Sequence, residues 1–115
     1  MNEQLPVIDW QQHARANTDS TDMSRELLAL FIQQLPELQQ RFQQAFVSQN
    51  KQELHAILHR LQGACAYCGL PRLRKTVVDI AHDQKQTGQL SKVQFEQALQ
   101  EIAAVKKQLA EHGIH

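Results

Sequence analysis

The sequence predicts an all-α fold: an antiparallel up-down four-helix bundle with a short additional N-terminal helix, forming one domain over residues 1–115. Three observations lead there. Apolar residues recur at helical spacing in four long segments. Short connections carrying cap and stop residues join those segments. No segment has the alternation or the β-branched runs of a strand. A chain of 115 residues is long enough to build a single core.

Val7-Ile8-Asp9-Trp10, bounded by Pro6, opens a short helix over residues 8–16, with Trp10 capping one end of the core. Asn17-Thr18-Asp19-Ser20 is a loop rich in N-cap candidates. A long helix follows over 21–48, whose stripe is Met23, Leu27, Leu30, Phe31, Leu38, Phe42, Ala45 and Phe46. Pro36 lies inside it and predicts a kink, because proline forfeits one hydrogen bond and crowds the preceding turn. Gln49-Asn50 connects to a helix over 51–68, and Gly69 suits the left-handed residue just past its end. Pro71 fits the first turn of a helix over 71–86, which buries Leu73, Val77 and Ile80 and exposes Arg72, Lys75, Asp79 and His82. Thr87-Gly88 ends it. Ser91 with Gln94 reads as a capping box for a last helix over 92–112, with Phe95, Ala98, Leu99, Ile102, Val105 and Leu109 inward.

The segment LHRLQGACAYCGL, Leu58 to Leu70, holds the chemistry. With about 100° per residue and His59 at 0°, Leu54, Ile57, Leu61, Ala64, Cys65 and Cys68 fall between about 140° and 240°, one core-facing stripe. His59 lies opposite, at the crown of the polar side, with His55, Gln62, Gly63 and Ala66 within about 60°. Glycine inside a helix costs about 1 kcal/mol relative to alanine, and Gly63 faces away from the stripe that packs against neighbours. Gly63 and Ala66 therefore leave a shallow, flat patch on which another molecule can approach the imidazole.

Charge narrows the partners. Twelve basic residues balance twelve acidic ones. No basic stripe recommends nucleic acid, and a neutral chain gives no reason for contact with an anionic membrane. The opening MNEQLPVIDW is acidic and polar where a signal peptide needs a charged start and an apolar core. No apolar run approaches the ~20 residues of a membrane span. The expected location is the cytoplasm.

Other chemistries fit poorly. Cys65 and Cys68 form a C-x-x-C, but at the end of a helix and on its apolar stripe, rather than at a helix N-terminus after a strand. They read as small buried hydrophobes. His55 and His59 have the i, i+4 spacing of a metal pair, yet they point outward and no acid on their helix shares their face, so no metal site is expected. Hydrolysis lacks a nucleophile–base pair and a pocket. A histidine that is itself the nucleophile, receiving a phosphoryl group from a partner, needs a neutral imidazole, steric access and oxygen donors, and these are present.

These residues resemble the histidine-containing phosphotransfer (HPt) domain family. The family pattern is a histidine, a hydrophobe two on, usually lysine three on, glycine four on, small residues, glycine ten on, and a leucine four later. Here the matching residues are His59, Leu61, Gln62, Gly63, Ala64-Cys65, Gly69 and Leu73. Leu30 to Leu38, with its proline, resembles the helix before the active one. Ile8-Asp9-Trp10 and Gly69-Leu70-Pro71-Arg72 are similar to HPt domains that end hybrid sensor kinases of the BarA/GacS type.

The resemblance implies a phosphorelay intermediate rather than an enzyme in its own right. His59 would take a phosphoryl group from a receiver-domain aspartate and pass it to another receiver. Gln62 and Arg60 would contact the phosphoryl oxygens, and His55, Leu58, Gly63, Ala66, Arg72 and Lys75 would form the docking face. The implied partners are the receiver domains of a hybrid sensor kinase and a response regulator. The chain needs no cofactor of its own, because Mg²⁺ belongs to the receiver. It would act as a monomer in the cytoplasm, free or as the tail of a membrane-anchored kinase. Two departures bear on transfer rate and on the lifetime of the phosphohistidine: Gln62 replaces the lysine, and Ala81 stands where the family often has glutamate or glutamine. The alternative readings are a helical module that docks receivers without accepting phosphate, and a metal-binding bundle.

Overall fold

The computed structural model describes residues 5–10 and 21–114, with side chains from residue 26 onward in the first helix. Four helices follow one another: α1 (Thr21–Ser48), α2 (Lys51–Cys68), α3 (Pro71–Thr87) and α4 (Lys92–Glu111). Two to four residues join each pair, which forces consecutive helices antiparallel. Each helix packs on the next, and α4 closes the ring against α1. There is no strand among the described residues.

The helix ends are built from local chemistry. The Asn50 side chain accepts the Glu53 backbone N–H at 3.1 Å to start α2. Gly69 and Gly88, with φ of 68° and 74°, end α2 and α3 in the left-handed region that glycine enters freely. Ser91 Oγ accepts the Gln94 N–H at 3.1 Å. The Gln94 side chain reaches back to Ser91, its Oε1 accepting from Ser91 Oγ at 3.3 Å, while its Nε2 donates to the Asp83 carboxylate on α3.

The core runs the length of the ring, through Leu28, Leu35 and Phe42, then Leu54, Ile57 and Leu61, then Leu73, Val77 and Ile80, and finally Ala98, Ile102, Val105 and Leu109. On α1 the stripe differs from the predicted one. Leu28 and Leu35, within about 40° of Phe42, are fully buried, whereas Leu30, about 120° away, is 51 % exposed. α1 stays helical through Pro36, whose ring is on the exposed face and displaces no core neighbour.

One end is closed by the segment before α1. Val7 and Ile8 are buried there, beside Leu70 and Ile114, and the Asp9 N–H donates to the Gly69 carbonyl at 2.8 Å. This corrects the predicted cap. Trp10 is 38 % exposed at the rim, with its ring 4.7 Å from that of His112, and the smaller aliphatic residues fill the end of the core. Ile8 and Asp9 are not helical and Trp10 is. The rest of the helix predicted over 8–16, and the loop 17–20, lie outside the described residues.

Candidate functional site

Because α2 has α1 on one side and α3 on the other, the face opposite its apolar stripe is open to solvent. His55, His59, Arg60, Gly63 and Ala66 are exposed there, and Gln62 is half-buried. Among the described residues no hydrogen bond or ion pair engages His59. A Cβ built on Gly63 would meet nothing within 4 Å. Among the described residues no neighbour therefore demands glycine at this position, and none compensates its conformational cost. Gly63 and Ala66 thus leave open space beside the imidazole.

Leu58 is a correction. It was expected on the docking face, but it is 1 % exposed. At about 260° from His59 it lies just beyond the predicted stripe, and packing against α3 widens the buried sector to include it. Arg72 is another. Its guanidinium makes two 3.0 Å hydrogen bonds to the Glu101 carboxylate on α4, so it points across the α3–α4 seam. Nine residues, or about 180°, separate it from Ala81, which faces α2. Lys75 shares the Arg72 side and is held by Asp79 at 2.9 Å, one turn along the same helix.

The two flanks of the His59 face differ in chemistry. Toward α1 lies an apolar groove of about 310 Å³ bordered by Leu27, Leu30, Phe31, Gln34, Gly63, Ala64 and Tyr67, with Cys68 also in its lining. Leu30 and Tyr67, the latter 71 % exposed, stand at its rim. Sequence reasoning missed this groove, although Tyr67 sits about 80° from His59, off the apolar stripe, which was a legible sign. Toward α3 lies a cleft lined by Lys51, His55, Ala81, His82, Gln84, Lys85 and Gly88.

The cysteines face inward. Burial, reinforced by Cys68 and opposed by the Arg74 charge, pushes the Cys65 thiol from 9.0 up to about 12. Burial alone lifts Cys68 to about 11. Both thiols therefore hold their protons more tightly than an exposed cysteine does, which disfavours the reactive thiolate. No group of three or more His, Cys, Asp or Glu gathers in metal-binding geometry among the described residues. No helix among them is long and apolar enough to cross a membrane.

What remains is an accessible imidazole on a smooth helical face, and the comparisons with known proteins agree on its context. The Hpt domain family model matches residues 26–109. The chain is 31 % identical over 82 residues to the signal transduction histidine-protein kinase BarA of Escherichia coli K12, covering 71 % of this chain and 9 % of that protein. It is 30 % identical over 71 residues to the sensor histidine kinase GacS of Pseudomonas protegens, covering 62 % and 8 % respectively. The chain thus spans less than a tenth of the length of these relatives. No solved structure matches it significantly. With a family match that runs through all four helices and takes in the histidine helix, the chain belongs to the Hpt domain family, the phosphotransfer modules of phosphorelays.

Proposed function

We propose that this chain accepts a phosphoryl group on His59 from the aspartyl phosphate of one receiver domain and passes it to the aspartate of another. In the first step the lone pair of the outer imidazole nitrogen, Nε2, attacks phosphorus. The N–P bond forms as the P–O bond to the aspartate breaks, and the carboxylate leaves with the electron pair. The Nδ1 proton stays in place, so no general base is required on this chain. Gln62 and Arg60 donate hydrogen bonds to the phosphoryl oxygens, and the receiver's Mg²⁺ supplies the remaining charge neutralisation. The second transfer is the reverse of the first on a different aspartate.

The observation that carries this reading is the uncompensated Gly63 one turn from an unengaged, exposed His59. A helix gains nothing from that pair of residues unless another backbone must come close. The apolar groove rimmed by Leu30 and Tyr67 supplies area for docking on one flank. Similarity to BarA and GacS points to receivers of a hybrid sensor kinase and of a response regulator as the partners, met in the cytoplasm by a monomer.

Incubation with receivers charged on aspartate tests the proposal. His59→Gln is expected to abolish acid-labile, alkali-stable phosphate on the chain while helical circular dichroism and Tm stay unchanged. Retention of that phosphate in the variant refutes the assignment. Binding of receivers with no transfer to the unaltered chain identifies a docking module instead.

A further inference from the structure

We infer that the cleft between the first turns of α2 and the last turns of α3 receives an acidic segment of the docked receiver and so sets which receivers are accepted. The inference rests on the relay reading and adds a contact to it. The cleft has a volume of about 370 Å³, and its chemistry-bearing lining residues are Lys51, His55, His82 and Lys85. Neither lysine belongs to an ion pair among the described residues. Of the acids on neighbouring turns, Glu53 is paired with Arg41 at 2.7 Å and Asp79 with Lys75, whereas Asp83 keeps its charge but is turned to Gln94 on α4 and does not line the cleft. The cleft is therefore a local cationic concavity on a chain whose formal net charge is zero.

Its position makes that charge consequential. His55 is one turn, about 6 Å, before His59, and Lys51 is about 12 Å before it. A partner covering roughly 800 Å² occupies a disc of about 16 Å radius, so a receiver centred on His59 also lies over the cleft. A receiver presenting basic residues there would bring like charges together, and one presenting aspartate or glutamate would complement them. Arg72 and Lys75, the cations singled out from sequence for this task, are held by Glu101 and Asp79 on the far side of α3. The opposite flank is apolar and supplies area, whereas the cationic flank discriminates between receivers.

The test uses the 115-residue chain and a set of receiver domains from the same genome, each charged on aspartate with acetyl phosphate. The double variant Lys51→Glu, Lys85→Glu alters two exposed side chains. For the receivers that serve the unaltered chain, it is expected to raise the half-saturating receiver concentration by about tenfold, leaving the transfer rate at saturation unchanged. The rise should be marked at about 0.1 M salt and lost at about 1 M, where the Debye length falls to about 3 Å. The charge-matched control Lys92→Glu, Lys107→Glu, on α4, should show no rise. An unchanged half-saturating concentration in the cleft variant, or an equal rise in the control, overturns the cleft while leaving the relay reading intact. If no receiver transfers to the unaltered chain, the relay reading and the cleft fall together.

Discussion

Replacing Gly63 by leucine should make the protein more stable and less able to transfer, a combination that few surface substitutions produce. A Cβ at this position meets nothing within 4 Å, so the side chain enters open space without disturbing the core. Leucine has nearly the helix propensity of alanine, which removes a penalty of about 1 kcal/mol. For a domain of this size that corresponds to a Tm higher by about 4 °C. The same side chain leans toward the N-terminal end of its helix, over the preceding turn, and that turn carries His59. Phosphoryl transfer needs the reacting atoms about 3–3.5 Å apart, and a misplacement of about 1 Å costs on the order of 100-fold in rate. Gly63→Leu is therefore expected to slow transfer by about 100-fold or more, with Gly63→Ala intermediate. Thermal melts by circular dichroism and quenched-flow transfer from a charged receiver read the two effects separately. Full transfer with the leucine in place would refute the role of Gly63 in access, and a lower Tm would show that the position serves packing.

Two further outcomes separate core from face and test the thiols. Leu58→Ala should lower stability by about 2–5 kcal/mol, because a buried leucine is lost and a cavity remains. Leu30→Ala should stay within about 0.5 kcal/mol and instead raise the receiver concentration needed for half-maximal transfer; a large loss of stability in Leu30→Ala would return that residue to the core. The raised thiols of Cys65 and Cys68 make stability fall with increasing pH in a defined window. Above pH 9 the unfolded chain loses thiol protons that the folded chain keeps up to about 11 and about 12. The unfolded state then binds fewer protons, and the unfolding free energy declines as pH rises through that range. Urea melts from pH 8 to 11 should show a shallower decline in the Cys65→Ala, Cys68→Ala double variant, and equal slopes would show that the thiols are not the source.

Most of the fold was legible because helix boundaries depend on neighbours in sequence. Asn50, Gly69, Pro71, Gly88 and Ser91 act on the backbone within a turn of themselves, and the ends of α2, α3 and α4 fall within a residue of the expected positions. The candidate nucleophile was legible for a similar reason. An exposed histidine opposite an apolar stripe, with glycine one turn on, is a property of a single helix.

Widths of buried faces were not legible in the same way, since the breadth of a buried sector depends on how closely the next helix approaches. Leu58 joined the core because α3 covers its side of α2, and Leu30 left it because α1 turns Leu28 and Leu35 inward. Trp10 gave up the end of the core to Val7 and Ile8 once the Asp9 amide was fixed on the Gly69 carbonyl.

Sequence alone determined that His59 stands on the exposed side of its helix, because angle along a helix follows from residue number. Tertiary structure alone decided what flanks it. Arg72 looks available in the sequence and is held by Glu101, which lies 29 positions away. Lys51 and Lys85, 34 positions apart, share one cleft because antiparallel packing brings the start of α2 beside the end of α3. Charge pairing across helices is set by packing distance, and packing distance has no local signature in the chain.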